Sequence, residues 1–185
     1  MSEHLAFVRA GGVESGHLLP VQRTQDAMEV LIENISHAQP ALPVPLALEN
    51  IASLVEWPDA EMDEGTFLRT VLDRTGCRLL LDVSNLYANA GNHGFDPASL
   101  LSALPASSVA YLHVGGGVEH EGLYHDTHCH PVPEDVLDLL RTVTRRLGQL
   151  PVLLERDDAF PLGDELHLEL DRIRTAVSRQ VGSLQ

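Results

Sequence analysis

The sequence predicts an α/β protein built around a parallel sheet, and three features of the chain point there. Five short runs are almost wholly apolar: HLAFV (4–8), PLALEN (45–50), RLLLDV (78–83), VAYLHV (109–114) and PVLLER (151–156). Continuous rather than alternating apolar runs mark strands that are covered on both faces. Helical periodicity fills the intervals between them. Each run also carries an acidic residue or a histidine at or near its C-terminal end, with His4 placed similarly at the start of the chain.

In chain order, HLAFV is the first strand. RAGGVESGHLLP follows as a glycine-bearing loop, too long and too interrupted by proline to be a dinucleotide-binding turn, which opens directly into a helix. Residues 24–38 form a helix, with Thr24 as cap and Ala27, Val30, Leu31 and Ile35 on one face. A second helix spans 63–75, with Phe67, Leu68, Val71 and Leu72 aligned and Gly76 as its stop. After RLLLDV, the segment ANAGNHGFDP reads as a turn that presents Asn92 and His93, since Asn and Gly favour turns. Asp96-Pro97 opens a short helix carrying Leu100, Leu101 and Leu104. A helix over 133–147 and a last one with Leu166, Leu170, Ile173 and Val177 complete the series. Alternation of this kind means βα units with right-handed crossovers, fitting either an open doubly wound sheet or part of a (β/α)₈ barrel. No linker or repeat interrupts it, so 1–185 is expected to form a single domain.

Composition narrows the function classes. A net charge of −15, with twelve arginines and no lysine, argues against nucleic acid, which needs clustered basic side chains. With no basic-apolar leader and no run long enough to span a bilayer, a cytoplasmic protein with no membrane partner is expected. Two cysteines are too few for a disulfide framework: Cys77 precedes an apolar strand and reads as a small buried residue, while Cys129 lies among candidate ligands.

The polar residues at the strand ends carry the chemistry. Glu49 and Asn50 follow LAL, Asp82 follows LLL, His113 sits in YLHV, and Glu155 follows VLL. Any one of them reads most simply as a helix cap or a partner for an arginine. Five in register read differently, because converging buried carboxylates demand a compensating cation. The C-terminal ends of parallel strands are also where sites form in such folds. Beyond His113 lies a dense cluster of His120, His125, Asp126, His128 and His130. Asp126 and His128, at i and i+2, share one side of an extended segment, whereas His120, His125 and His130 read as a solvated polar loop. So many oxygen and nitrogen donors with few thiols favour two or three ions of the iron or manganese kind over a structural zinc.

Six stretches, SEHLAF (2–7), LALENI (46–51), GCRLLLDVSNLYANAGNHGFDP (76–97), VAYLHVGG (109–116), HDTHCHPV (125–132) and PVLLERD (151–157), resemble the multinuclear non-heme iron-dependent oxidative enzymes. That family includes the iron subunit of methanobactin biosynthesis. The resemblance implies a TIM-type (β/α) barrel holding two or three iron ions, with dioxygen as co-substrate; manganese and zinc rank behind iron. It implies the metal ligands His4, Glu49, Asp82, His113, Asp126, His128 and Glu155. It also places Asn50 close to the metals, and Asn85, His93 and Asp157 there in catalytic roles. The expected substrate is a ribosomally made precursor peptide whose cysteines are oxidatively rearranged, presented by a small partner protein.

Two positions depart from the family pattern. Gly115–Gly117 stand where a second histidine is usual, and Arg156 replaces a tryptophan, which is expected to alter substrate contacts. The match also begins near the family's fourth strand. A partial barrel is therefore expected: about five parallel strands with flanking helices, the N-terminal strands missing, and self-association covering the exposed sheet edges. Two other readings fit the residues: a divalent-metal sugar isomerase or phosphoesterase on a similar barrel, and a non-catalytic metal- or partner-binding fragment.

Overall fold

A computed structural model describes residues 1–178, so the C-terminal end of the expected 1–185 domain lies outside the described residues. The chain runs through β1 (Ser2–His4), β2 (Ala6–Ala10), β3 (Val13–Pro20), α1 (Gln25–Ala38), β4 (Ala47–Glu49), α2 (Glu64–Thr75) and β5 (Arg78–Asp82). It continues through α3 (Val83–His93), α4 (Pro97–Ala103), β6 (Val109–Val114), β7 (Val118–His120), β8 (Leu123–His125), α5 (Glu134–Leu147), β9 (Val152–Leu154) and α6 (Gly163–Val177).

Five strands form one parallel sheet in the order β1-β4-β5-β6-β9. The order follows the sequence and never reverses. A doubly wound sheet requires a reversal, so of the two architectures the partial TIM-type barrel is the one observed. Register fixes which side chains share a face. Glu49 pairs with Leu80, Leu80 with Tyr111, Asp82 with His113, and His113 with Leu153. Side chains alternate across a strand, so the acids and the histidine stand together on the face away from the helices. The opposite face presents Leu48, Leu79, Leu81, Leu112 and Val114, all buried beneath Phe67, Leu68, Val71, Val136, Leu140 and Val143 of α2 and α5. Each such side chain contributes roughly 1.5–3 kcal/mol by leaving water.

The helices begin where their caps stand. The side chains of Thr24, Asp63, Asp82 and Asp96 accept backbone N–H groups in the first turns of α1, α2, α3 and α4. Gly76 closes α2 in the left-handed conformation (φ 67°), as its place in the sequence predicted.

Three segments differ from expectation. The run read as one strand over 4–8 breaks at Leu5, so His4 ends a strand of the main sheet rather than opening one. Ala6–Ala10 instead pairs antiparallel with Val13–Pro20, and the supposed glycine loop is this hairpin. Gly11 and Gly12 at its tip both have positive φ, as a tight hairpin turn requires. ANAGNHGFDP is not a turn: α3 runs through to His93 and stops at Gly94 (φ 72°). Its weak helix formers are held by the Asp82 cap and by the burial of Leu86 and Ala88, a case of packing overriding propensity. In α6 the buried stripe is Glu169, Ile173 and Ala176, whereas Leu166 is exposed.

Candidate metal centre

Each candidate ligand is placed by the end of a strand or by the loop just beyond it. Glu49 closes β4, Asp82 closes β5, His113 is the penultimate residue of β6, and Glu155 follows β9 with its N–H on Val114 O at 2.9 Å. Three groups result in which ligand atoms lie within 4.8 Å of one another: Glu49, Asp82, His113 and Glu155; Asp82, Asp126 and His128; and His128, Glu155 and Asp157. Asp82, His128 and Glu155 each belong to two groups. His113 Nδ1 is 2.9 Å from Glu155 Oε2 and 3.2 Å from Glu49 Oε1. His128 Nδ1 is 3.4 Å from Asp157 Oδ2 and 3.7 Å from Glu155 Oε2, and its Nε2 is 2.6 Å from Asp126 Oδ2.

A second tier of contacts holds these side chains. Asn50 grips the end of β5 twice, its amide donating to Asp82 O and its carbonyl oxygen accepting from Asp82 N, both at 2.9 Å. Asn85 donates to Asn50 O at 2.9 Å, while its backbone N–H caps onto Asp82 Oδ1 at 2.7 Å. Ser84 Oγ and the backbone of Gly115 bond in both directions. Over this floor lies the loop of Asp126 and His128, so close that the glycines beneath it are required. A Cβ at Gly115 would meet the His128 ring, one at Gly116 the carbonyl oxygens of His130 and Pro131, and one at Gly117 the carbonyl oxygen of His125. The departure at Gly115–Gly117 therefore has a physical role, letting the loop reach the strand ends.

The electrostatics are those of a site short of positive charge. Asp82 is completely buried; that burial and the Asp126 charge beside it push its carboxyl up to about 7. Burial pulls His113 down, but Glu155 and Glu49 outweigh it and lift the imidazole to about 9. Burial likewise opposes, and Asp126 and Glu155 overcome it, in raising His128 to about 9. The hydrogen bond from His113 holds Glu155 below the ordinary carboxylate range despite its burial. Asp82 Oδ2, Asp126 Oδ1 and His128 Nε2 are buried without a hydrogen-bond partner among the described residues. Such unpartnered atoms, in residues whose carboxylate oxygens and imidazole nitrogens lie within 4.8 Å of one another, fit a hard or borderline divalent ion.

Of the expected ligands, Glu49, Asp82, His113, Asp126, His128 and Glu155 are brought together, and Asp157 joins them from the rim with its side chain largely exposed. His4 stands apart from the three groups, half-exposed, its Nε2 3.8 Å from Glu49 Oε2. Asn85 and Asn50 brace the floor. His93 is not in the cluster: its Nε2 lies 2.7 Å from Ser53 O, and its ring lines a separate cavity with Arg23, Glu56, Glu64 and Phe95. His120 is exposed, His130 Nδ1 meets Thr127 Oγ1, and Cys129 Sγ donates to Thr127 O. Arg156 is buried in an ion pair with Glu169. Glu169 went unnoticed in the sequence, although it keeps helical spacing with Ile173 and Ala176 and so had to lie on the packed stripe.

Parallel strands that end in one carboxylate-histidine cluster, with orphaned donor and acceptor atoms, define a partial-barrel protein whose strand ends could hold metal ions. The chain belongs to the RiPP precursor modification enzyme MbnB/TglH/ChrH family, whose model matches residues 1–178. It is 53% identical over 186 residues to a UPF0276 protein of Streptomyces avermitilis, covering 97% of this chain and 38% of that one. It is 43% identical over 186 residues to a UPF0276 protein of Caulobacter vibrioides, covering 100% of this chain and 66% of that one. A Chromobacterium violaceum UPF0276 protein is 41% identical over 161 residues, covering 87% of this chain and 58% of its own length. The chain thus spans between 38% and 66% of the length of these relatives. No helix among the described residues is long and apolar enough to cross a membrane.

Proposed function

We propose that this chain carries the iron site of an oxidative enzyme that modifies cysteine residues of a ribosomally made precursor peptide. The observation that supports this reading is the sharing of Asp82, His128 and Glu155 between neighbouring ligand groups. Carboxylates bridge adjacent ions readily, so groups that share them suit two or three metals rather than one. Membership of a precursor-modifying family supports the peptide as substrate.

Glu49, Asp82, His113, Asp126, His128 and Glu155 would hold the ions, with Asp157 and His4 at the rim. Iron there would supply electrons for dioxygen and a Lewis acid for a substrate thiolate. The chain's own residues do the rest. Asn50 and Asn85 keep the Asp82 carboxylate aimed, and Leu80, buried on the same face of β5, excludes water from beneath it. Asp157, exposed and 3.4 Å from His128 Nδ1, can accept a hydrogen bond from that ring at the rim of the group. A small partner protein presenting the peptide belongs to the same reading.

The test is anaerobic loading with ferrous iron, followed by metal analysis and dioxygen uptake with a cysteine-containing peptide. More than one iron per chain is expected, falling to one or none in His113→Ala, together with dioxygen consumption that requires the peptide thiol. Uptake of manganese or zinc in preference to iron, with no dioxygen consumed, would overturn the proposal in favour of an isomerase or hydrolase.

A further inference from the structure

Two of the ligand segments, Asp126–His128 and Glu155–Asp157, belong to different loops and are separated by α5 and β9. Both help build the group of His128, Glu155 and Asp157, so its geometry depends on how firmly the two loops are joined. One tie is direct, Asp157 N donating to His128 O at 3.0 Å. The other passes through α6. Glu169 Oε1 accepts the Val132 N–H at 2.7 Å, and Glu169 Oε2 accepts Arg156 Nη2 at 2.5 Å. Arg156 lies between two candidate ligands in sequence but pairs with Glu169 of α6 and is in none of the ligand groups. The side chains of Arg156 and Glu169 are 8% and 6% exposed.

A buried ion pair is a poor device for stability, because desolvating both charges offsets most of their attraction and an apolar pair does as well or better. This one also leaves Arg156 Nε buried without a partner among the described residues, a further cost. What an apolar pair could not supply is an acceptor for Val132 N–H and a fixed link from there to the backbone between Glu155 and Asp157.

We propose that Arg156 and Glu169 are positioning residues that join the Asp126–His128 loop to the Glu155–Asp157 segment and so set the geometry of the ligand group they share. The inference rests on the reading that this group holds a metal. Neither residue touches the ion. Outer contacts of this kind change metal affinity by about tenfold to a hundredfold.

Two neutral double variants isolate the effect. Arg156→Met with Glu169→Gln removes both charges and keeps an acceptor for Val132 N–H, whereas Arg156→Met with Glu169→Met removes the acceptor as well. Each is titrated with cobaltous ion, read by visible absorption, and melted metal-free by circular dichroism. His128→Ala identifies the absorption that belongs to this group. The Met/Met variant, whose buried Val132 N–H has no acceptor, is expected to melt below the parent yet stay folded at the titration temperature, and to bind the His128-linked ion about tenfold or more weakly, with an altered spectrum. The Met/Gln variant is expected to fall between it and the parent. Unchanged affinity and spectrum in Met/Met overturn the proposal. So does a loss of binding that only tracks the fraction unfolded, since that marks a purely structural pair. If His128→Ala binds cobalt as the parent does, the metal reading itself fails, a result distinct from both.

Discussion

At the scale of single residues, Asp82 does two jobs with two oxygens. Oδ1 caps α3 through Asn85 N, and Oδ2 is buried and free to meet an ion. Two substitutions separate the jobs. Asp82→Asn keeps a carbonyl oxygen for the cap and abolishes the buried acid, so the metal-free chain should melt at or above the parent temperature. Its stabilisation by added ferrous ion should disappear. Asp82→Ala loses the cap too, which costs about 1 kcal/mol and lowers the melting temperature of a chain this size by roughly 2–4 °C. Differential scanning calorimetry with and without metal reads both. Equal metal-induced stabilisation in Asp82→Asn and the parent would remove Asp82 from the ligand set.

At the scale of elements, the glycines at 115–117 make the strongest demand. Gly116→Ala drives a Cβ into the carbonyl oxygens of His130 and Pro131. Overpacking against backbone costs about 1–3 kcal/mol, and the loop can relieve it only by lifting Asp126 and His128 off the strand ends. Reduced metal content with a lowered melting temperature is expected. Gly91→Ala in α3 is the control: nothing lies within 4 Å of its added Cβ. Replacing a helix glycine there should stabilise by up to about 1 kcal/mol without touching metal content.

Helix α2 holds a different test. Glu64, at its first position, lines a cavity with Arg23, Glu56 and His93, and burial lifts its carboxyl to about 7 although Arg23 pulls it down. Its folded value therefore exceeds its unfolded one of 4.5. The stability this group contributes is complete below the unfolded value and is lost as pH rises through about 7. Glu64→Gln should match the parent near pH 4.5 and become progressively more stable than it toward about pH 8. A melting-temperature difference that is flat across this range would show Glu64 to be ordinary.

The elements also show what the sequence made legible. Caps and stops at Thr24, Gly76 and Asp96 marked α1, α2 and α4, because they satisfy helix ends locally, whereas the Asp63 cap of α2 was not read. The carboxylates at 49, 82 and 155 announced the site, because a charge set among apolar strand residues is costly to bury without a cation beside it. What stayed hidden depends on distant partners. The Asn- and Gly-rich stretch at 88–94 reads as a turn until Leu86 and Ala88 are seen to be buried. The run at 4–8 gives no period that would reveal a break at Leu5, though Gly11-Gly12 between two β-prone stretches is a hairpin signal. The resemblance places His93 in a catalytic role near the metals because it belongs to a motif around Asp82, but eleven residues of helix carry it to another cavity.

At the scale of the molecule, one face of the sheet is finished and the other is not. The helix-side face is sealed by leucines and valines. The other carries the site, and on it Leu153 of β9 is 52% exposed although it pairs in register with the buried His113. Among the described residues, β1 and β9 have a strand neighbour on one side only. Unpaired strand edges offer backbone donors and acceptors to any other strand, and an exposed leucine beside such an edge adds apolar area to the contact. The chain on its own should therefore associate with itself as concentration rises, which sedimentation velocity measures directly. Leu153→Lys places a charge on the edge strand, a common device for blocking edge pairing, and should shift the distribution toward single chains. It should leave the helix-side core, and hence the far-ultraviolet circular dichroism, unchanged. A single sedimenting species at every concentration, in parent and variant alike, would mean that the edges of this sheet do not attract one another.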